Sequence, residues 1–187
     1  MPKDDAADFV GLMDAQQADE VLQLLPDHHR EEITSLLQYA QNTAGGVMNP
    51  YVISVQKEQS VEEAIRSIRQ YIELQNSMQP FYTVYVVDEF QHLIGTIAVT
   101  QLLLAKRQTL ISEMMNPDVI AVDVDLDQEE VVQIAKEYDL VVVPVIDKYL
   151  RLIGRITIDD LVDVMRSIRK ILHKSVGLRK KKCWKCP

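Results

Sequence analysis

The sequence has few cysteines and no long hydrophobic run, and each absence excludes a class of protein. Its two cysteines, Cys183 and Cys186, stand close together near the C-terminus, so disulfide bonds do not build the core and a cytoplasmic setting is the default. The longest apolar run, residues 140–146, is far shorter than the ~20 residues that span a bilayer. The first residues also lack the apolar stretch of a secretory signal. We therefore expect that no part of this chain crosses a membrane.

Recognisable catalytic motifs are missing as well. The sequence contains no Gly-x-x-x-x-Gly-Lys phosphate loop, and no nucleophile, base and orienting acid at a known spacing. Its four histidines do not form a site, because His28 and His29 lie in a polar stretch while His92 and His173 stand alone. The single Cys-x-x-Cys pair lacks the second pair that a zinc site needs and the βαβ context of a redox site. We predict that the protein is not an enzyme.

The charge is divided unevenly along the chain. The 187 residues contain 28 acidic and 20 basic side chains, a net charge of −8. Residues 164–187 hold nine of the basic side chains and no acid, so residues 1–163 carry a net −17. Such an acidic body excludes nucleic acid as a partner and favours cations. The basic tail predicts either an amphipathic helix against an anionic membrane surface, or a solvated, disordered end.

An internal repeat organises most of the chain. Met-Asn-Pro at residues 48–50 recurs at 115–117, and Leu-Ile-Gly at residues 93–95 recurs at 152–154. Between these motifs each copy has a β-rich stretch and then a helix start, where Ser60 pairs with Glu63 in the first copy and Asp127 with Glu130 in the second. The sequence of each copy therefore predicts the order strand, helix, strand, strand, helix.

We expect an α+β fold in which two β-α-β-β-α units of α/β type pack face to face, preceded by a few short helices. These short helices cannot close a core alone, so they must pack against a neighbour. The predicted parts are a partial helical segment at residues 1–45, a first copy at 46–112, a second copy at 113–165 and a basic helix or tail at 166–187.

The second copy ends in a recognisable motif. Gly154, Thr157 and Asp160 take the places of a Gly-x-x-Thr-x-x-Asp segment, and the tandem arrangement around them resembles a CBS domain pair. Asn-Thr-Ala-Gly-Gly-Val-Met at residues 42–48 and Leu-Leu-Pro-Asp at residues 24–27 are similar to the cytosolic region of the MgtE family of magnesium transporters. The chain would then be either a fragment of a cell-membrane protein or a free-standing relative without a pore.

The resemblance implies a regulatory function. In the MgtE family, Mg²⁺ that binds between the helical domain, the CBS pair and the pore closes the channel. The matching carboxylates here are Asp127, Glu129, Asp139, Asp160 and Asp163. A plainer alternative is that acids near helix starts are solvated and favoured by the helix dipole. The resemblance implies Mg²⁺ as the regulatory ion, the membrane domain of a transporter as partner, and a homodimer formed through the CBS pair.

An adenine nucleotide is the second candidate ligand. CBS pairs often bind these nucleotides through the Thr and Asp of their motif, and the second copy keeps both, as Thr157 and Asp160. The first copy has Ala98 and Gln101 instead. Thr157 is equally suited to cap the last helix. The alternative function is therefore a free-standing CBS-pair protein that binds an adenine nucleotide or a partner protein.

Overall fold

The computed structural model describes residues 36–75 and 80–166. Before residue 36 it describes only scattered positions, so the predicted short helices of the N-terminal segment lie mostly outside the described residues. Residues 76–79 of the first copy also lie outside them, as does the basic tail from residue 167 onward with Cys183 and Cys186. Among the helices that are described, none is both long and apolar enough to cross a membrane.

Each copy forms a three-stranded sheet with helices. A short helix, α1 (Ala44–Val47), leads into the first copy. The first copy then contains β1 (Ser54–Gln56), α2 (Val61–Gln75), β2 (Thr83–Val87), β3 (Leu93–Ala98) and α3 (Val99–Leu104). The second contains α4 (Ile111–Met114), β4 (Val122–Asp123), α5 (Gln128–Glu137), β5 (Val142–Ile146), β6 (Leu152–Thr157) and α6 (158–166). In both sheets the first strand pairs parallel with the second, which pairs antiparallel with the third. The predicted α+β fold of two β-α-β-β-α units is confirmed.

Side chains just before α2 and α5 fix where these helices begin. The hydroxyl of Ser60 accepts a hydrogen bond from the Glu63 amide at 3.3 Å, while the Glu63 carboxylate accepts one from the Ser60 amide at 2.8 Å. This is the predicted capping box. Asp127 caps α5 through the amide of Glu129 at 2.8 Å. Asp127 therefore caps the helix as the sequence predicts, but its carboxylate bonds to the amide of Glu129 and not to that of Glu130.

The two copies exchange the segments that lead into them. The amides of Ala44 and Gly45 in α1 donate to the carbonyl oxygens of Leu126 and Val124 in the second copy, at 2.7 and 2.8 Å. Asn49 pairs with Arg155 of β6 through two backbone hydrogen bonds of 2.7 and 2.9 Å. Each Met-Asn-Pro motif thus packs beside the Leu-Ile-Gly motif of the opposite copy.

The same exchange holds in reverse for the segment that leads into the second copy. The amide of Ile111 donates to the carbonyl oxygen of Gln59 at 2.9 Å, and Asn116 pairs with Thr96 of β3. Met115 packs against the core of the first sheet, whereas Met48 is buried in the core of the second. The hydrophobic cores therefore cross the copies' predicted sequence boundaries, and neither sheet is completed by its own copy alone.

The sheet faces that do not carry helices are also buried. Along β2, Val84 belongs to the core beneath the helices, while Tyr85 on the opposite face is only 2% exposed. Arg155 reaches across from the second copy, with its guanidinium 3.4 Å from the Pro80 carbonyl oxygen and 5.7 Å from the centre of the Tyr51 ring. Burial raises the pKa of Tyr85 to about 12, and the charge of Arg155 opposes this rise. These contacts are those of two sheets packed face to face.

Matching hairpin turns join the ends of the two sheets. Asp88 in the first turn and Asp147 in the second each accept two backbone amides at 2.9 Å, and each contacts the side chain four residues later, His92 and Arg151. Burial alone would raise the pKa of each carboxyl, but the hydrogen bonds outweigh it and hold the pKa of Asp88 and Asp147 below the usual value. Both carboxylates are therefore ionised at neutral pH. The turns bond to each other through the Leu93 amide and the Leu150 carbonyl oxygen at 3.1 Å.

Candidate functional site

Thr157 and Asp160 lie at the junction of β6 and α6, where the chain leaves the second sheet. The amide and the hydroxyl of Thr157 both donate to Oδ2 of Asp160, at 2.8 and 2.6 Å. Asp160 stands in the first turn of α6 and is partly buried. The two predicted nucleotide-binding residues thus contact each other at the start of the helix, where Asp160 accepts the Thr157 amide as the third residue of a capping box does.

Asp163 lies one turn further along α6. It is three residues after Asp160, so the two carboxylates share a side of the helix. Asp163 is exposed, and its Oδ1 accepts a hydrogen bond from Arg166 at 2.9 Å. A metal ion at Asp163 would therefore compete with a neighbouring guanidinium, although an exposed pair of this kind contributes little to stability.

Asp127 lies where the end of the N-terminal segment meets the second copy. Its Oδ1 caps α5 through the amide of Glu129, and its Oδ2 is 3.5 Å from the side-chain amide of Asn42. The backbone of Asn42 also accepts a hydrogen bond from the Gln128 amide at 2.9 Å. Glu129, the other predicted ligand here, is exposed. This carboxylate pair is therefore placed at a boundary between two parts of the chain.

Asp139 lies just past the opposite end of α5. Its φ of 51° is in the left-handed region, where the chain turns from the helix toward β5. Asp139 lines a cleft of about 300 Å³ together with mostly apolar side chains, Leu140, Val141, Leu161 and Met165 among them. The ten residues of α5 span roughly 15 Å at 1.5 Å per residue, so Asp139 and Asp127 are well separated.

The five predicted metal ligands therefore occupy three places in the fold. Asp127 and Glu129 are together at the start of α5, Asp160 and Asp163 are together on α6, and Asp139 is apart. In residues 36–75 and 80–166, no three His, Cys, Asp or Glu side chains gather closely enough to hold a metal ion. Because Mg²⁺ keeps several of its waters, one or two carboxylates from each place suffice when another module supplies the rest.

Arg155 is a buried residue that the sequence analysis missed. It is 7% exposed and contacts Tyr51 and Pro80 of the first copy, in the middle of the interface between the sheets. The available signal was its position in the repeat, since it follows Gly154 where the first copy has Thr96 after Gly95. A charged residue in an otherwise apolar strand marks a place where that strand meets another surface.

Comparison with protein families identifies the repeated unit. The family model of the CBS domain matches residues 44–107 and 111–167, well over half of the chain. The chain belongs to the CBS domain family. In front of the CBS pair, residues 1–42 match the family model of the MgtE intracellular N domain. The predicted resemblance to the MgtE cytosolic region is confirmed.

Known relatives share this order of domains. The chain is 36% identical over 165 residues to the magnesium transporter MgtE of Thermus thermophilus, which covers 88% of this chain and 34% of the relative. It is 37% identical over 134 residues to MgtE of Enterococcus faecalis, covering 72% of this chain and 29% of the relative. The chain thus spans about a third of the length of these relatives. Both relatives are magnesium transporters.

A solved structure of similar fold carries a nucleotide. The crystal structure of the cytosolic domain of the Mg²⁺ channel MgtE in complex with ATP matches this chain with a TM-score of 0.80 and 35% identity. The match covers 88% of this chain and 66% of that one.

Proposed function

We propose that this chain is the regulatory Mg²⁺-sensing module of an MgtE-type magnesium transporter, placed on the cytosolic side of the cell membrane. The observation that carries the proposal is the position of Asp127, which joins the end of the N-terminal segment to the second CBS copy through Asn42. An ion bound there would add to the backbone hydrogen bonds that already join these two parts of the chain. The membrane domain of the transporter and a second copy of the chain are the proposed partners.

The mechanism needs binding but no catalysis. Residues 1–163 carry a net −17, so compact arrangements repel themselves electrostatically. Mg²⁺ prefers carboxylate oxygens, and an ion shared between Asp127, Glu129 or Asp160 and a neighbouring module would remove part of that repulsion. It would stabilise the arrangement that brings these acids together, and a transporter coupled to that arrangement would respond to the concentration of Mg²⁺.

Added Mg²⁺ is expected to raise the melting temperature of the wild-type chain. An ion concentration about tenfold above Kd contributes ~1.4 kcal/mol to the free energy of unfolding, which is roughly 3–6 °C for a chain of this size. The variant Asp127→Asn, Asp160→Asn should lose most of this shift. The measurement is thermal unfolding by circular dichroism with and without 10 mM MgCl₂, with ionic strength held constant by NaCl.

The control separates metal binding from helix capping. Asp127 and Asp160 both accept backbone amides at helix starts, and asparagine keeps an oxygen that accepts them, so the double variant should retain its helix caps and only the Mg²⁺-dependent shift is informative. Ser60→Ala removes a comparable cap on α2 and touches none of the predicted ligands, so its shift should equal that of the wild type. Equal shifts in the double variant and the wild type, or no shift in either, would contradict the proposal.

Nucleotide binding is a second candidate function, favoured by the ATP complex of the similar MgtE structure. The Thr157 hydroxyl donates to Asp160 at 2.6 Å, so a nucleotide phosphate would have to share or displace this bond. We expect isothermal titration with ATP or AMP to show binding that Thr157→Ala weakens at least tenfold, because the hydroxyl is lost. Thr157→Ser keeps the hydroxyl and should bind normally. Absent heat in the wild type, or unchanged binding by Thr157→Ala, would eliminate this function.

A further inference from the structure

Three arginines line one cleft on the first CBS copy. This cleft, called the arginine cleft below, has a volume of about 250 Å³ and lies between α2 and the segment that joins the two copies. Its lining residues are Glu62, Ile65, Arg66, Arg69 and Arg107. Three cations against one acid leave a local charge of +2 in a body whose net charge is −17.

The fold holds the third arginine against the helix that carries the other two. Arg66 and Arg69 are three residues apart and share a side of α2. The joining segment docks on the first turn of α2, where the Glu62 amide donates to the Arg107 carbonyl oxygen at 3.0 Å and the Val61 amide to that of Thr109 at 2.9 Å. Arg107 is therefore fixed beside the helix by the backbone itself.

Few acidic side chains lie close to the arginines of the cleft. Arg66 lies 3.6 Å from Glu62, but their side chains are 72% and 52% exposed, so solvent screens this pair. Within the part of the chain that the structure describes, no carboxylate is within ion-pairing distance of Arg69 or Arg107. The amides at the start of α2 already donate to Arg107 and Thr109, so the positive potential of the cleft comes from the side chains.

We propose that the arginine cleft binds a phosphate group, supplied either by an anionic phospholipid headgroup or by a free phosphate. The guanidinium is the side chain that recognises phosphate oxygens in a bidentate way, and several of them around one small cleft match the charge and size of that group. The bound anion removes the repulsion between the clustered cations. This site is distinct from Thr157 and Asp160, which lie in the second copy.

The test compares two triple variants of the full chain that have the same net charge. The first is Arg66→Gln, Arg69→Gln, Arg107→Gln, which empties the cleft of cations. The control variant is Lys136→Gln, Lys148→Gln, Arg166→Gln, which removes three exposed cations from the second copy. All six side chains are exposed, so both variants should fold, as checked by their melting curves in chloride buffer. Residues 167–187 of the basic tail are unchanged in both variants and contribute equally.

Two probes separate the sources of the phosphate. One is 10 mM inorganic phosphate, which should raise the melting temperature of the wild type and the control by about 2–3 °C over chloride of equal ionic strength. The other is co-sedimentation with phosphatidylglycerol vesicles, with phosphatidylcholine vesicles as blank. Each cation near such a surface changes partitioning about fivefold, so the cleft variant should bind at least ~10-fold more weakly than the control.

If the cleft variant loses only its binding to vesicles, relative to the control, the site binds a lipid headgroup. If it loses only the rise in melting temperature with phosphate, the site binds a free phosphate. Loss of both supports recognition of the phosphate group that the two ligands share. The proposal is overturned if the two triple variants respond alike in both arms, because charge alone would then explain the binding.

Discussion

Replacing Gly46 with alanine is expected to destabilise the chain by about 3 kcal/mol and to lower its melting temperature by roughly 6–12 °C. A Cβ at this position would fall on the carbonyl oxygen of Ala40 and lie 2.8 Å from Cα of Gln41. Both are backbone atoms, so no side-chain rotation relieves the overlap. Residues 40 and 41 would have to move away from α1, and Asn42 would move with them.

Whether Gly46→Ala raises or lowers the melting temperature distinguishes two physical effects. Within a helix, alanine ordinarily stabilises relative to glycine by about 1 kcal/mol, and it also restricts the unfolded chain. Helix propensity alone therefore predicts a higher melting temperature for Gly46→Ala, whereas the contact with Ala40 predicts a lower one. Hydrogen exchange should show faster exchange at the Gln128 amide, which donates to Asn42. An unchanged or raised melting temperature would refute the described packing of α1.

Much of the fold could be predicted from the sequence because it depends on local patterns. The Ser60 capping box, the β-rich segments and the two hairpins are short-range features, and the structure has them where the sequence places them. The exchange of lead-in segments could not be predicted in the same way. A repeat shows that Met48 and Met115 are equivalent, but it does not show whether each packs on the Gly of its own copy or of the other.

The candidate sites show the same difference between local contacts, which the sequence predicts, and long-range contacts, which it does not. Thr157 and Asp160 are three residues apart, so their contact follows from helix geometry, and the sequence already offered helix capping as a role of Thr157. Whether Asp127, Asp139 and Asp160 meet depends on how helices far apart in the chain are arranged, and the described structure keeps them apart. The arginine cleft was missed for this reason as well, since Arg107 reaches α2 through tertiary hydrogen bonds.

The exchanged packing of the two copies leads to the second prediction of a large loss of stability. Met48 is 3% exposed and lies on Gly154 of β6, where an added Cβ would be 2.5 Å from its Sδ and 2.9 Å from its Cγ. Met48→Ala leaves a cavity in the second core and should cost about 2–5 kcal/mol. Gly154→Val overpacks the same place and should cost about 1–3 kcal/mol. Urea unfolding followed by circular dichroism measures both.

Combining the substitutions tests which residues touch. In Met48→Ala, Gly154→Val the new side chain fills part of the cavity, so the total loss should be smaller than the sum of the single losses by about 1–3 kcal/mol. The matched control is Met48→Ala with Gly95→Val, because Gly95 lies against Met115 in the other core and the two losses should add. If Met48 packed within its own copy, the coupling would appear with Gly95 and vanish with Gly154. That reversed pattern would disprove the exchange, whereas coupling to Gly154 alone requires that the core of the second sheet be completed by a segment of the first copy.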